Sequence, residues 1–143
     1  MTKNTHRNQS KPFLEIKVGD AAQFEMSVNE KMHQTFSKLF GDFSPIHSKD
    51  DFCAQTKFKK RIGYGFLLTG FLSKLYGEYL PGGNSICLKQ EANFIQPFFI
   101  GDTIKVSAEV TQKIESIQCV EILAKMYRNS TCIFRGVGLV QII

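Results

Sequence analysis

An α+β domain, with an antiparallel β-sheet wrapped around one long apolar helix, is predicted by three features of this 143-residue chain. Residues 65–80, G-F-L-L-T-G-F-L-S-K-L-Y-G-E-Y-L, are apolar nearly all round a helix, and only Lys74 and Glu78 in them are charged. The segments that follow alternate apolar with polar residues, as half-buried strands do. Helical patterns come first and strands gather behind them, and that segregation signals α+β rather than an alternating α/β order.

Each element has its own reason. Residues 1–12 are rich in Lys, Asn, Thr and Ser and lack an apolar pattern, so they read as a disordered tail ahead of one domain, 13–143. Gly19-Asp20 is a turn, and Ala22, Phe24, Met26 and Val28 then alternate as a strand. Ser27-Val-Asn-Glu30 has the spacing of a capping box. Met32, Phe36, Leu39 and Phe40 follow at helical spacing, giving one apolar face, and Gly41 ends the helix. A loop from Asp42 to His47 comes next, then a short helix holding Phe52, Cys53 and Ala54, capped by Ser48 or Asp50. At ~1.5 Å per residue the apolar helix spans about 24 Å, enough to cross a small sheet. Pro81-Gly82-Gly83 stops it. Ser85 to Phe94 is one strand-like run, broken or bulged by Pro97, and Gly101-Asp102 is a turn. Ile104, Val106, Ala108 and Val110 then share a strand face, as do Val120, Ile122, Ala124 and Met126. Asn129-Ser130 reads as the hairpin turn into a last strand, 132–143, completing a meander.

Composition narrows the function. A chain 43% hydrophobic and 22% charged is an ordinary globular domain, long enough to bury a core. Its net charge of +5 is too small for a bulk nucleic-acid binder, but a local basic run, Lys57, Lys59, Lys60 and Arg61, suits a small phosphorylated ligand. That run also reads as a solvated face. Cys53, Cys87, Cys119 and Cys132 form no C-x-x-C pair and sit among apolar residues, so all four read as buried, reduced thiols and no zinc site is expected. No apolar run approaches ~18 residues and the N-terminus is polar, so neither a membrane span nor a signal peptide is expected and the cytoplasm is the default.

The chemistry-bearing stretch is F-G-D-F-S-P-I-H-S followed by K-F-K-K-R-I-G-Y-G, residues 40–48 and 57–65. It holds a carboxylate, Asp42, and an imidazole, His47, on a Gly/Pro-shaped loop. One anionic and one near-neutral group can abstract and return a proton at pH 7. The same residues also read as a plain turn, with Asp42 bonding backbone amides. Gly65 opens the apolar helix, where free N–H groups and the positive dipole end could stabilise an enolate-like oxygen; it could equally be a glycine kept for backbone freedom. Ser73 lies eight residues on, either facing the site or bonding a carbonyl one turn back. His6 belongs to the tail, and His33 reads as solvated on the first helix.

F-G-D-F-S-P-I-H resembles the signature of the MaoC-like hydratases, the (R)-specific enoyl-CoA hydratases of the hot-dog fold. That signature reads small-Gly-Asp-x-Asn-Pro-hydrophobic-His. K-F-K-K-R-I-G-Y-G-F-L-L is similar to the family's basic stretch leading to a glycine and the central helix. L-P-G-G-N-S-I-C-L-K-Q-E-A-N-F-I-Q-P-F-F-I-G-D-T-I-K-V is similar to its continuation, so the resemblance covers about residues 20–143. It implies a single hot-dog domain that pairs into a homodimer with a continuous sheet and takes an acyl-CoA thioester near the interface. Asp42 and His47 would then activate one water, the Gly65 N–H would hold the thioester carbonyl, and Ser44 and Ser73 would support them. Lys57, Lys59, Lys60 and Arg61 would meet the CoA phosphates. No cofactor or metal is needed, because the thioester is itself the electron sink, and no nucleic acid or membrane partner is implied.

Two positions depart from the pattern. Ser44 stands where the family usually has Asn, and Tyr64 where a His often precedes the glycine. Alternatives to the hydratase are a dehydratase acting on 3-hydroxyacyl chains of acyl carrier protein, a hot-dog acyl-CoA thioesterase, and a non-catalytic acyl-CoA-binding module. Phe43, Phe66, Phe71 and Tyr76 are candidate walls of an acyl pocket and equally good core residues.

Overall fold

The computed structural model describes residues 10–143. The expected tail falls outside the described residues over positions 1–9; Lys11, its penultimate residue, bonds the Asp20 carboxylate at 3.2 Å. A single 3-10 turn, Phe13–Glu15, precedes β1 (Ala21–Ser27) and α1 (Glu30–Phe40). Two short helical pieces follow, α2 (Pro45–Ser48) and α3 (Asp50–Ala54), then the long α4 (Gly65–Glu78). The remaining strands are β2 (Ser85–Gln90), β3 (Asn93–Phe94), β4 (Thr103–Ile114), β5 (Cys119–Arg128) and β6 (Thr131–Ile142). The sheet runs β1-β4-β5-β6-β2, with β3 also on β6, and every pairing is antiparallel.

The alternating residues of β4 and β5 form the inner face as expected. Ile104, Val106, Val110, Val120, Ile122, Ala124 and Met126 are fully buried, and Ala108 nearly so. Leu68, Leu72 and Leu75 of α4 belong to the same core as these residues. Asn129, at φ 53°, turns β5 into β6 with Arg128 opposite Thr131. The expected meander is therefore real over β4-β5-β6. Its flanks are not sequential: β1 closes on β4, and β2 crosses to β6.

Several expectations need correction. The run 85–94 is two strands parted at Glu91-Ala92, with a register shift between Cys87 and Lys89. Asn29, not Ser27, caps α1: its side chain accepts the Met32 N–H at 2.8 Å, while Ser27 ends β1 and bonds Thr103. His47 lies on the helical turn α2 rather than in an open loop. α4 is not buried all round, for Phe66 and Ser73 are exposed. On α1 the C-terminal half of the apolar stripe faces outward: Leu39 is 72% and Phe40 67% exposed, Met32 and Phe36 are half-buried, and His33 and Ser37 are buried. The solvated His33 expected from the sequence is thus 2% exposed. Of the four cysteines, all free, Cys53 and Cys119 are buried, Cys132 is half-buried and Cys87 is exposed. No helix among the described residues is long and apolar enough to cross a membrane.

Candidate active site

Gly41 ends α1 in the left-handed region, φ 75°, with its N–H on the Ser37 carbonyl at 2.8 Å. Glycine reaches that conformation without a Cβ penalty. The chain turns sharply there and presents Asp42. The Asp42 carboxylate accepts the Ser44 hydroxyl at 2.7 Å and the Ser44 N–H at 3.0 Å, a turn closed on its own side chain. Hydrogen bonds to the charged form favour it, so the Ser44 hydroxyl, then the Ser44 N–H, hold the Asp42 carboxyl below the usual carboxylate range. Ser44 thus takes up the loop-shaping role implied for Asn. Removing the hydroxyl in Ser44→Ala weakens the charged form, so the Asp42 pKa should rise. Carboxyl-carbon NMR titration checks this; an unchanged or lower pKa would contradict it.

Ser44 is also the residue before α2, and Pro45 opens that helix. Proline suits a first helical position because its fixed φ is already helical and its missing N–H would have no partner there. One residue on from Ile46, the His47 ring places Nδ1 2.8 Å from the Ile62 carbonyl. A carbonyl can only accept, so Nδ1 carries the proton and the neutral ring keeps a lone pair on Nε2.

Asp42, His47 and Gly65 line one cavity of about 280 Å³ with Phe36, Tyr64 and Phe66. Gly65 is the first residue of α4, where backbone N–H groups lack intrahelical acceptors and the helix dipole is positive. A side chain there would press on the Phe94 ring, so glycine keeps the mouth of the cavity open. Asp42, Phe36 and Phe66 also border a larger groove of about 1020 Å³ between α1 and α4, walled by Met32, Leu39, Phe40 and Leu67. The outward apolar stripe of α1 is the wall of this groove.

Other expected residues lie elsewhere. Ser73 borders a separate hollow of about 400 Å³ with Thr69, Tyr76 and Cys87. Phe71 is core, and Phe43 is 61% exposed. In the basic run, Arg61 is engaged: its two terminal nitrogens grip the Glu30 carboxylate at 3.0 Å each, and Nε bonds Asp50 at 2.9 Å. This fork ties α1 to the start of α3. Lys57, Lys59 and Lys60 are exposed; the Lys60 ammonium sits 4.3 Å over the Phe99 ring.

Two residues at the site were not legible as such. Tyr64 is buried, donates its hydroxyl to the Asp42 carbonyl at 2.6 Å, and lays its ring 4.1 Å from that of His47. His33 joins this group, 4.6 Å from Tyr64 and 6.4 Å from His47, with Nε2 2.7 Å from the His47 carbonyl. The sequence marked Tyr64 only as a departure, and the spacing His33–Ser37 was hidden by the louder apolar stripe beside it.

An antiparallel sheet packed on one long helix, with a carboxylate and an imidazole lining a cavity at that helix's first glycine, is a hot-dog domain. The chain belongs to the MaoC-like domain family, whose model matches residues 15–128. An (R)-specific enoyl-CoA hydratase of Rhodospirillum rubrum is 36% identical over 99 residues, 69% of each chain. A 3-hydroxybutyryl-CoA dehydratase of Methylorubrum extorquens is 28% identical over 130 residues, 91% of this chain and 83% of the relative. Among solved structures, the (R)-hydratase from Aeromonas caviae involved in PHA biosynthesis superimposes with a TM-score of 0.86 at 29% identity, covering 90% of this chain and 98% of that one.

Proposed function

We propose that this protein is an (R)-specific enoyl-CoA hydratase, adding water reversibly to a trans-2-enoyl-CoA to give the (R)-3-hydroxyacyl-CoA. The observation that carries this reading is the shared cavity. It joins an ionised carboxylate, an imidazole with its Nε2 lone pair free by tautomer, and a helix-first glycine. Relatives named for the same chemistry support it.

One water is held by the Asp42 carboxylate and His47 Nε2, both acceptors. A proton leaves the water to this pair as its oxygen bonds C3. The C2–C3 π electrons move onto the thioester oxygen, where the Gly65 N–H and the positive end of α4 stabilise them. The proton then returns to C2 on the same face, so the atoms of one water are fully used. The apolar groove between α1 and α4 takes the acyl chain. Lys57, Lys59 and Lys60 remain for the CoA phosphates; Arg61 is assigned to holding α1 and α3 together.

The active form is a homodimer. β2 ends the sheet, and Ile86, Leu88, Phe94 and Ile95 on this edge are each about half exposed, a surface suited to joining a second sheet edge to edge. Four free thiols fit a reducing compartment, and we place the enzyme in the cytoplasm, which cell fractionation would test.

The test is loss of the conjugated enoyl-thioester absorbance on adding crotonyl-CoA, with the product's configuration determined and the mass measured by sedimentation. Formation of the (R)-alcohol by a protein of twice the monomer mass is expected. An octenoyl thioester on CoA and on acyl carrier protein extends the assay. Turnover only on the carrier protein would replace the CoA reading with the dehydratase one; release of free thiol would point to a thioesterase. Binding without turnover on any thioester would make it a binding module, and a monomer would remove the dimer.

A further inference from the structure

α2 has four residues, too few to hold a conformation by itself, and yet it carries His47. Its geometry must come from outside. Some of the clamps are evident: Ile62 supplies its N–H to the Ile46 carbonyl at 3.2 Å and its carbonyl to the His47 ring, and the Cys53 thiol lies 3.2 Å from the Ile46 carbonyl. The His47 carbonyl is held by something less expected, the Nε2 of His33 from α1, at 2.7 Å.

His33 is an odd choice for that position if packing were its only duty. It is 2% exposed, and its Nδ1 is buried with no hydrogen-bond partner among the described residues. An unpaired buried acceptor costs stability, and an apolar side chain would fill the space without that cost. The ring lies 4.6 Å from Tyr64, which lies 4.1 Å from His47 and 4.6 Å from Phe36. Tyr64 in turn bonds the Asp42 carbonyl. One cluster of rings therefore grips the main chain of both Asp42 and His47.

We infer that His33 is a positioning residue: with its proton on Nε2 it holds the His47 carbonyl, and through the Tyr64 ring it sets the plane of the His47 imidazole. The tautomer follows from the partner, since the His47 carbonyl can only accept. Burial lowers the His33 pKa, which keeps the ring neutral at pH 7; the charges of Arg61, Glu30 and His47 also act on it. A break of local economy beside a reactive group is what a functional constraint produces. The inference rests on the reading of Asp42 and His47 as the hydrating pair.

The experiment compares His33→Leu, His33→Gln and His47→Gln in the full chain, with kcat and KM on crotonyl-CoA and Tm for each. Gln can place an amide N–H near the position of Nε2; Leu cannot. His33→Leu should shift Tm little, since relief of the unpaired Nδ1 offsets the lost bond to the His47 carbonyl, while it lowers kcat about 10-fold and leaves KM within about twofold. His33→Gln should recover most of that kcat, and His33→Leu should add nothing in a His47→Gln background. Wild-type kcat in His33→Leu, or equal losses in the Leu and Gln variants, would overturn the inference while His47→Gln stays inactive. Should His33→Leu fail to fold, His33→Gln with the kcat of His47→Gln would overturn it as well. Full turnover in His47→Gln would instead remove the underlying reading and this inference with it.

Discussion

Asp42→Asn should lower kcat on crotonyl-CoA by about 10³- to 10⁴-fold, at the upper end of what a positioned acid–base group contributes, with Tm unchanged within experimental error. The separation of the two effects comes from the local structure. An Asn oxygen can still accept the Ser44 N–H and hydroxyl that close the turn, and the Asp42 main chain, with its bond from Tyr64, is untouched. What disappears is the negative charge. A neutral amide oxygen is a far weaker acceptor for a water proton, and it no longer stabilises positive charge developing on the nearby imidazole. Such a loss corresponds to about 4–5.5 kcal/mol of transition-state stabilisation, at 1.36 kcal/mol per tenfold. Were Asp42 only a turn residue, Asn would serve equally and turnover would survive; that result would sink the assignment. Substrate affinity should change little, because Asn has the shape of Asp at the groove's border and leaves its apolar walls, Met32, Phe36, Leu39 and Phe66, in place.

The fold was legible where burial imposes a short repeat. Ile104 to Val110 and, apart from Leu123, Val120 to Met126 alternate apolar with polar residues, and period-two burial leaves a strand no other register. Asp42 and His47 stood out as candidates because they are close in sequence, and the structure brings them to one cavity. Pairings between distant segments were not legible: nothing local says that Ala21–Ser27 lies along β4, or that β2 crosses to β6. α1 shows the deeper limit. Its periodicity was read correctly, but an apolar stripe can face a ligand groove as well as a core. The sequence showed one apolar face without saying what it meets and read His33 as solvated; the structure turns Leu39 and Phe40 to the groove and buries His33. The Arg61 fork to Glu30, 31 residues away, hid in the same manner inside a run that looked like a phosphate site. Composition alone could not separate a cation waiting for a ligand from one already engaged.

A large loss of stability from a single methyl group is expected at Gly63. Its backbone is pressed against the Phe98 ring, so closely that an added Cβ would overlap the ring edge. Phe98 is 2% exposed and the Gly63 N–H bonds its carbonyl at 2.7 Å, so neither partner can yield without dragging the other. Overpacking of this kind costs about 1–3 kcal/mol. For a chain of this size that is a fall in Tm of roughly 3–12 °C. Function should suffer beyond the loss of folded protein, because the flanking residues are supports of the site. The Ile62 carbonyl fixes the His47 tautomer, the Tyr64 hydroxyl holds Asp42, and Gly65 opens the helix. Pushing the chain off Phe98 displaces all three together. Adding Phe98→Leu should return part of both Tm and kcat to Gly63→Ala, since a smaller neighbour makes room for the methyl. A Gly63→Ala protein with wild-type Tm, or a double variant no better than the single, would show that the ring moves aside freely and that segment 62–65 is not a rigid support of the site.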